Sequence, residues 1–127
     1  MRLRLSPAAA LAVALAAGCA GTAPLPMAAT PETARPAIET ALDAWKAGTT
    51  ADALRAQSPA VNLLDDDFGK GRKLVGYKIE GDGKPMGTGM RYDVTLTLQD
   101  GTKPSATRKV AYRVVTDPNI SISREDF

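Results

Sequence analysis

Histidine is absent from this 127-residue chain, and cysteine occurs once. Without histidine, Ser-His-Asp and Cys-His nucleophilic sites are excluded, and the commonest metal ligand is missing. Carboxylates, Lys, Arg, Tyr, Ser and Thr are what remains for chemistry. A single cysteine forms no disulfide within the chain, so the fold must be held by packing. No apolar run reaches the roughly 20 residues that a membrane-crossing helix needs, and no internal repeat appears at solenoid periods.

What the N-terminus does contain is ordered. Arg2 and Arg4 precede an apolar run over residues 7–17, which ends in Ala16-Ala17-Gly18-Cys19. This is the charged, apolar and small-residue succession of a secretory signal. With the only cysteine directly after the small residues, the segment resembles the lipobox of a bacterial lipoprotein signal. The resemblance implies cleavage before Cys19 and a lipid anchor on that residue. Ala16 stands where most lipoboxes carry Leu, and an ordinary cleavage at Gly18-Cys19-Ala20 would instead release a soluble protein. Ala20 after the cysteine, in place of Asp, implies the outer membrane in a Gram-negative host.

Cleavage there divides the chain into a signal (1–18), a lipidated tether rich in Ala, Thr and Pro (19–32) and one domain (33–127). With Arg2 and Arg4 gone, the remaining 14 Lys and Arg meet 14 Asp and Glu. A neutral, interspersed balance gives no electrostatic reason to expect nucleic acid.

Thr33 and Pro36 suit the start of a helix over residues 34–47. Ile38, Ala41, Leu42 and Trp45 form its apolar stripe, and Gly48 stops it. A short helix over 51–57 follows, with Thr49 and Asp52 as a weak capping box and Ser58-Pro59 at its end. Residues 60–64 read as an extended segment or a last partial turn. Strands are expected over 73–81, 90–99 and 107–116, with a short last one at Ile120 and Ile122. They are joined by a loop at 81–89, Asp100-Gly101 and Asp117-Pro118-Asn119. Alternation turns Val75, Tyr77 and Ile79, then Met90, Tyr92, Val94, Leu96 and Leu98, then Val110, Tyr112 and Val114 inward. The expected architecture is α+β: a helix and a short second helix on a curved antiparallel meander of about four strands.

The Ala41-Leu42-Asp43-Ala44-Trp45 helix, the short second helix and the sheet resemble the NTF2-like and cystatin-like group, including small exported lipoproteins, over residues 33–124. The resemblance implies a curved sheet with a cavity beneath the helix. No catalytic motif of the ketosteroid isomerase or SnoaL enzymes matches residue by residue.

Candidate sites are few. Asp65-Asp66-Asp67 fails the EF-hand pattern, because Lys70 falls sixth and Gly76 twelfth where Gly and Glu are required. It reads as a solvated loop whose replacement by Asn leaves folding intact. Residues 81–89 lack the phosphate-loop spacing and read as a mobile hairpin tip. Trp45, Tyr77, Tyr92 and Tyr112 could line a pocket, although core packing is their default role. Arg91, Lys109 and Arg113 lie on the wet face and could meet a partner. The last strand could be a sheet edge open to strand addition. No catalytic residue, metal site or cofactor motif is expected. The function expected is a non-enzymatic, lipid-anchored binding or accessory module of the cell envelope, contacting a protein, peptide, envelope component or small ligand. Alternatives are a small-molecule carrier and, third, an isomerase-type enzyme.

Overall fold

The computed structural model describes residues 25–125. The signal segment and Cys19 therefore lie outside the described residues. The fold begins before residue 33. Ala29 is buried, and its N–H donates to the Thr88 carbonyl at 2.8 Å. Helix α1 already runs from Pro31 to Lys46. Its N-cap is Thr30, with Thr33 completing a reciprocal capping box. Thr33 thus serves as the third helical residue instead of the cap, and Pro36 sits in the second turn, where it removes one intrahelical bond.

The buried stripe of α1 comprises Ala34, Ala37, Ile38, Ala41, Leu42 and Trp45. Its C-terminus closes as a Schellman motif. Gly48 N–H donates to Trp45 O and Thr49 N–H to Ala44 O, both at 2.9 Å, and Gly48 supplies the left-handed φ of 89°. Thr49 is consumed there, so Thr50 caps the short helix α2 (Ala51–Arg55).

The sheet differs from the expected meander. It has five strands in the order β1-β5-β4-β3-β2 and is mixed. The added strand is β1 (Val61–Leu64), which pairs in parallel with β5 (Ile120–Glu125). Four residues carry too little alternation to announce a strand, and a parallel partner some sixty residues away leaves no local turn signal. β5 consequently lies inside the sheet, and the edges are β1 and β2. Between β1 and β2 a third helix, α3 (Asp66–Gly69), is capped by the Asp65 carboxylate, which accepts from Asp67 N–H at 2.7 Å and Phe68 N–H at 3.1 Å.

Strand β2 (Lys73–Met86) absorbs most of the expected 81–89 loop and turns tightly through Gly87-Thr88 into β3 (Gly89–Gln99). Gly81-Asp82-Gly83 forms a bulge opposite Tyr92. Gly83 (φ 82°) rests on the Tyr92 ring so closely that an added Cβ would sit 2.5 Å from Cε1. β4 (Ala106–Val115) pairs antiparallel with β3 and β5. Met90, Tyr92, Val94, Leu96, Leu98, Val110, Tyr112, Val114 and Ile122 are buried against the α1 stripe. Val75, expected inward, is exposed, because the register shifts at a bulge between Leu74 and Gly76. Among the described residues no helix is long and apolar enough to cross a membrane.

Candidate functional site

The triple aspartate is not a solvated loop. Asp66 is exposed, but Asp65 and Asp67 are buried on the inner side of the sheet. Asp67 accepts from Arg72, from Arg108 at 3.2 Å and from Arg124 at 2.6 Å. Asp65 accepts the Tyr112 hydroxyl as well as its two cap N–H groups, and Arg124 approaches it at 3.4 Å. The arginines come from the start of β2, from β4 and from β5. Alternation explains two of them: Arg108 shares the inward phase of Val110, and Arg124 that of Ile122. That phase was the available signal, and it is masked by the assumption that a charged residue on a strand faces water.

Burial alone would raise the Asp67 pKa. The hydrogen bonds from Arg124 and Arg72, with the charges of Arg124 and Arg108, outweigh it and hold the carboxyl below its usual 3.8. Burial likewise would lower Arg124, but its hydrogen bond to Asp67 and the charges of both aspartates raise it. Burial and the Asp65 charge push the Tyr112 phenol well above its ordinary 10.0. Asp67 and Arg124 thus hold one another charged, while Tyr112 is held neutral beside Asp65. The cluster acts as a clasp that joins α3 to β2, β4 and β5, and its acceptors are occupied. Among the described residues no group of three or more acidic, histidine or cysteine side chains is placed to hold a metal ion.

Of the other tyrosines, Tyr77 sits at the core edge and Tyr92 within the core. Tyr77 donates to Asp43 on α1 at 2.7 Å, and burial with that bond raises its pKa. Tyr92 is fully buried beneath Gly83, its hydroxyl without a partner among the described residues, and burial raises its pKa. Trp45 Nε1 donates to Arg72 O at 2.8 Å, and its ring meets Phe68 edge-on at 5.5 Å.

Among the described residues, no helix packs on the opposite face of the sheet. Strand register sorts its charges into rows across the strands. Lys84, Arg91 and Arg113 stand opposite one another on β2, β3 and β4. The next row is Glu80, Asp93, Ala111 and Glu125, and the next is Lys78, Thr95 and Lys109. The structure therefore brings Arg91 and Arg113 together and sets Lys109 two rows away. Arg91 pairs with Asp93 at 3.6 Å. Arg113 lies over the hairpin end: Cβ atoms built on Gly87 and Gly89 would fall 3.3 Å and 3.1 Å from its guanidinium. Among the described residues, its buried Nε has no hydrogen-bond partner and Arg113 forms no ion pair.

Clefts open on the surface of the described residues. One, of about 700 Å³, lies between the α1–α2 turn and the α3–β2 loop and includes Trp45 and Phe68. A second, about 440 Å³, runs over Glu80, Asp93, Thr95 and Lys109 on the charged face. The third, about 240 Å³, lies beside Arg72, Lys103 and Arg108. Tyr77, Tyr92 and Tyr112 line none of these three. No family model, curated protein or solved structure gives a significant match to this chain.

Proposed function

We propose that this chain is an exported protein, held to the cell envelope through a lipid on Cys19, whose domain works by binding an anionic envelope polymer on the open face of its sheet. The observation that carries this reading is the row Lys84, Arg91 and Arg113. Like charges directly opposite on neighbouring strands repel. Nothing in the core requires this row, because α1 covers the other face. An anionic partner relieves the repulsion and supplies Arg113 with an acceptor that its Nε lacks among the described residues. The strands stand about 4.8 Å apart, so the three cations form a short ladder suited to successive anionic groups of an extended chain.

The order α1, α2, β1, α3 and then the four-strand run β2 to β5 supports an NTF2-like or cystatin-like build. The isomerase-type alternative gains no support from the buried carboxylates, whose acceptors are filled by backbone N–H groups, Tyr112 and arginines. The test is cosedimentation of the protein with purified anionic cell-wall polymer at low and high salt. Binding that weakens with salt and with charge reversal at Lys84, Arg91 and Arg113 supports the reading. Recovery indifferent to both contradicts it.

A further inference from the structure

Strand direction brings two turns to one end of the sheet. β3 and β4 are antiparallel neighbours, so the β2–β3 hairpin at Gly87-Thr88 and the β4–β5 turn at Asp117-Pro118 both lie at the end where Met90 opposes Val114. The segment that enters α1 is strapped across both turns. Met27 N–H donates to Asp117 Oδ2 at 2.6 Å, Ala29 N–H donates to Thr88 O at 2.8 Å, and Ala29 is buried. The strap is fixed, yet its larger side chains stay out of the core: Leu25 is 88% and Met27 75% exposed. Met86, beside the same hairpin, is exposed, and so are Pro26, Pro85 and Pro118. Among the described residues, three of the five exposed large apolar side chains thus belong to this end. The other two are Leu64 on the β1 edge and Val75 near the opposite end of β2. Leaving apolar surface in water is unfavourable, and packing within the domain does not relieve it here.

The chain that precedes the strap says what covers this end. Six Cα steps separate Leu25 from Cys19, a span of at most about 22 Å when fully extended. β3 alone has 11 residues and rises about 35 Å. The tether is shorter than the sheet, and the strapped end is the one held beside the lipid.

We infer that this end of the sheet docks on the bilayer surface, with Leu25, Met27 and Met86 entering the boundary between headgroups and acyl chains. The inference rests on the lipid anchor at Cys19 proposed above and adds an orientation to it. The strands stand end-on to the membrane. The row Lys84, Arg91 and Arg113 crosses the strands close to this end, so a polymer bound along it runs parallel to the bilayer.

Depth is read with the environment-sensitive fluorophore nitrobenzoxadiazole on the lipidated chain. A lipidated Cys19 has no free thiol, so a maleimide label reaches only an introduced cysteine. Met86→Cys places the label at the docking end, and Lys103→Cys places it in the β3–β4 turn at the other end of the sheet. Both proteins are reconstituted in phosphatidylcholine vesicles, which carry no net charge to attract the cation row. The expected result is a blue shift and loss of iodide quenching for the label at 86, with a water-like signal at 103. Leu25→Asp with Met27→Asp, both at exposed positions, should return the label at 86 to a water-like signal while the chain stays with the vesicles and keeps its thermal midpoint. Acyl mass on the chain with a water-like signal at 86 overturns the docking and leaves the anchor standing. So does equal burial of both labels, or burial at 86 that survives the two aspartates. Burial at 86 that requires phosphatidylglycerol in the vesicles also overturns it, because the contact then belongs to the cation row. A wild-type chain without acyl mass overturns the anchor and this inference with it.

Discussion

Arg124 on the last strand places Nη1 2.6 Å from Oδ2 of Asp67, in the helix between the first two strands. The contact closes the longest-range strand pairing of the fold, the parallel pairing of β1 with β5, because both residues lie just beyond those paired segments. Asp67 is buried and carries three guanidinium groups, so removing its charge leaves Arg108 without an ion pair among the described residues, and Arg72 and Arg124 with only their longer contacts to Asp100 and Asp65.

Asp67→Asn is therefore expected to cost about 3–5 kcal/mol, the range for breaking one side of a buried pair. That is a large share of the roughly 5–15 kcal/mol that holds a domain of this size. Asp66→Asn, on the exposed neighbour, should stay within about 0.5 kcal/mol. Urea unfolding of the two variants measures the difference, and equal midpoints would contradict the clasp.

The same cluster sets a pH window. Asp67 has a native pKa below its unfolded value, so its stabilisation is complete above about pH 4–5 and is lost as pH falls through the native pKa. Tyr112 has a native pKa above its unfolded value, so its stabilisation is complete below about pH 9–10 and is lost as pH rises further. Tyr77 and Tyr92 shift in the same direction and add to the alkaline limb. Thermal midpoints measured against pH should show a plateau between these limits, and Asp67→Asn should flatten the acid limb.

Two glycines with positive φ separate backbone strain from contact. Gly101 (φ 63°) has open space where a Cβ would go, so Gly101→Ala should cost about 1–2 kcal/mol for the left-handed backbone alone. Gly83 (φ 82°) faces the Tyr92 ring, and Gly83→Ala should cost about 2–5 kcal/mol as overpacking adds to that strain. Equal losses in denaturant unfolding would mean that the bulge does not rest on Tyr92.

Much of this fold is legible in the sequence, and the exceptions share a cause. The α1 stripe and the inward phases of β3 and β4 follow from periodicity, because one side of each element is apolar. β1 escapes because four residues and a parallel partner leave no period and no turn. The β2 bulge escapes because Gly81-Asp82-Gly83 carries ordinary turn chemistry, whereas the strand continues beyond it. Arg108 and Arg124 sit in the inward phase of their strands, yet charge on a strand reads as a solvent face until the compensating aspartates are located. The cation row was visible only in part. Arg91 and Arg113 were recognisable as outward residues, but their opposition, and the arrival of Lys84 beside them, depend on register across the bulge.

The anchor is tested by mass. Cys19→Ser should abolish lipid attachment and leave the chain unprocessed or outside the membrane fraction, as read by intact mass and fractionation. Soluble wild-type protein beginning at Gly21 would contradict the lipoprotein reading.

The central claim, binding of an anionic polymer by the open sheet face, is tested most directly by one comparison. Cosedimentation with purified anionic cell-wall polymer is measured for the wild-type chain and for Lys84→Glu/Arg91→Glu/Arg113→Glu, at about 50 and 200 mM salt, an interval over which multi-contact polyanion binding falls steeply. The account predicts wild-type binding that drops with salt, and a variant that binds little at either concentration with its thermal midpoint near wild type. Wild-type binding that persists at high salt, or a folded variant that binds as well as wild type, would contradict it.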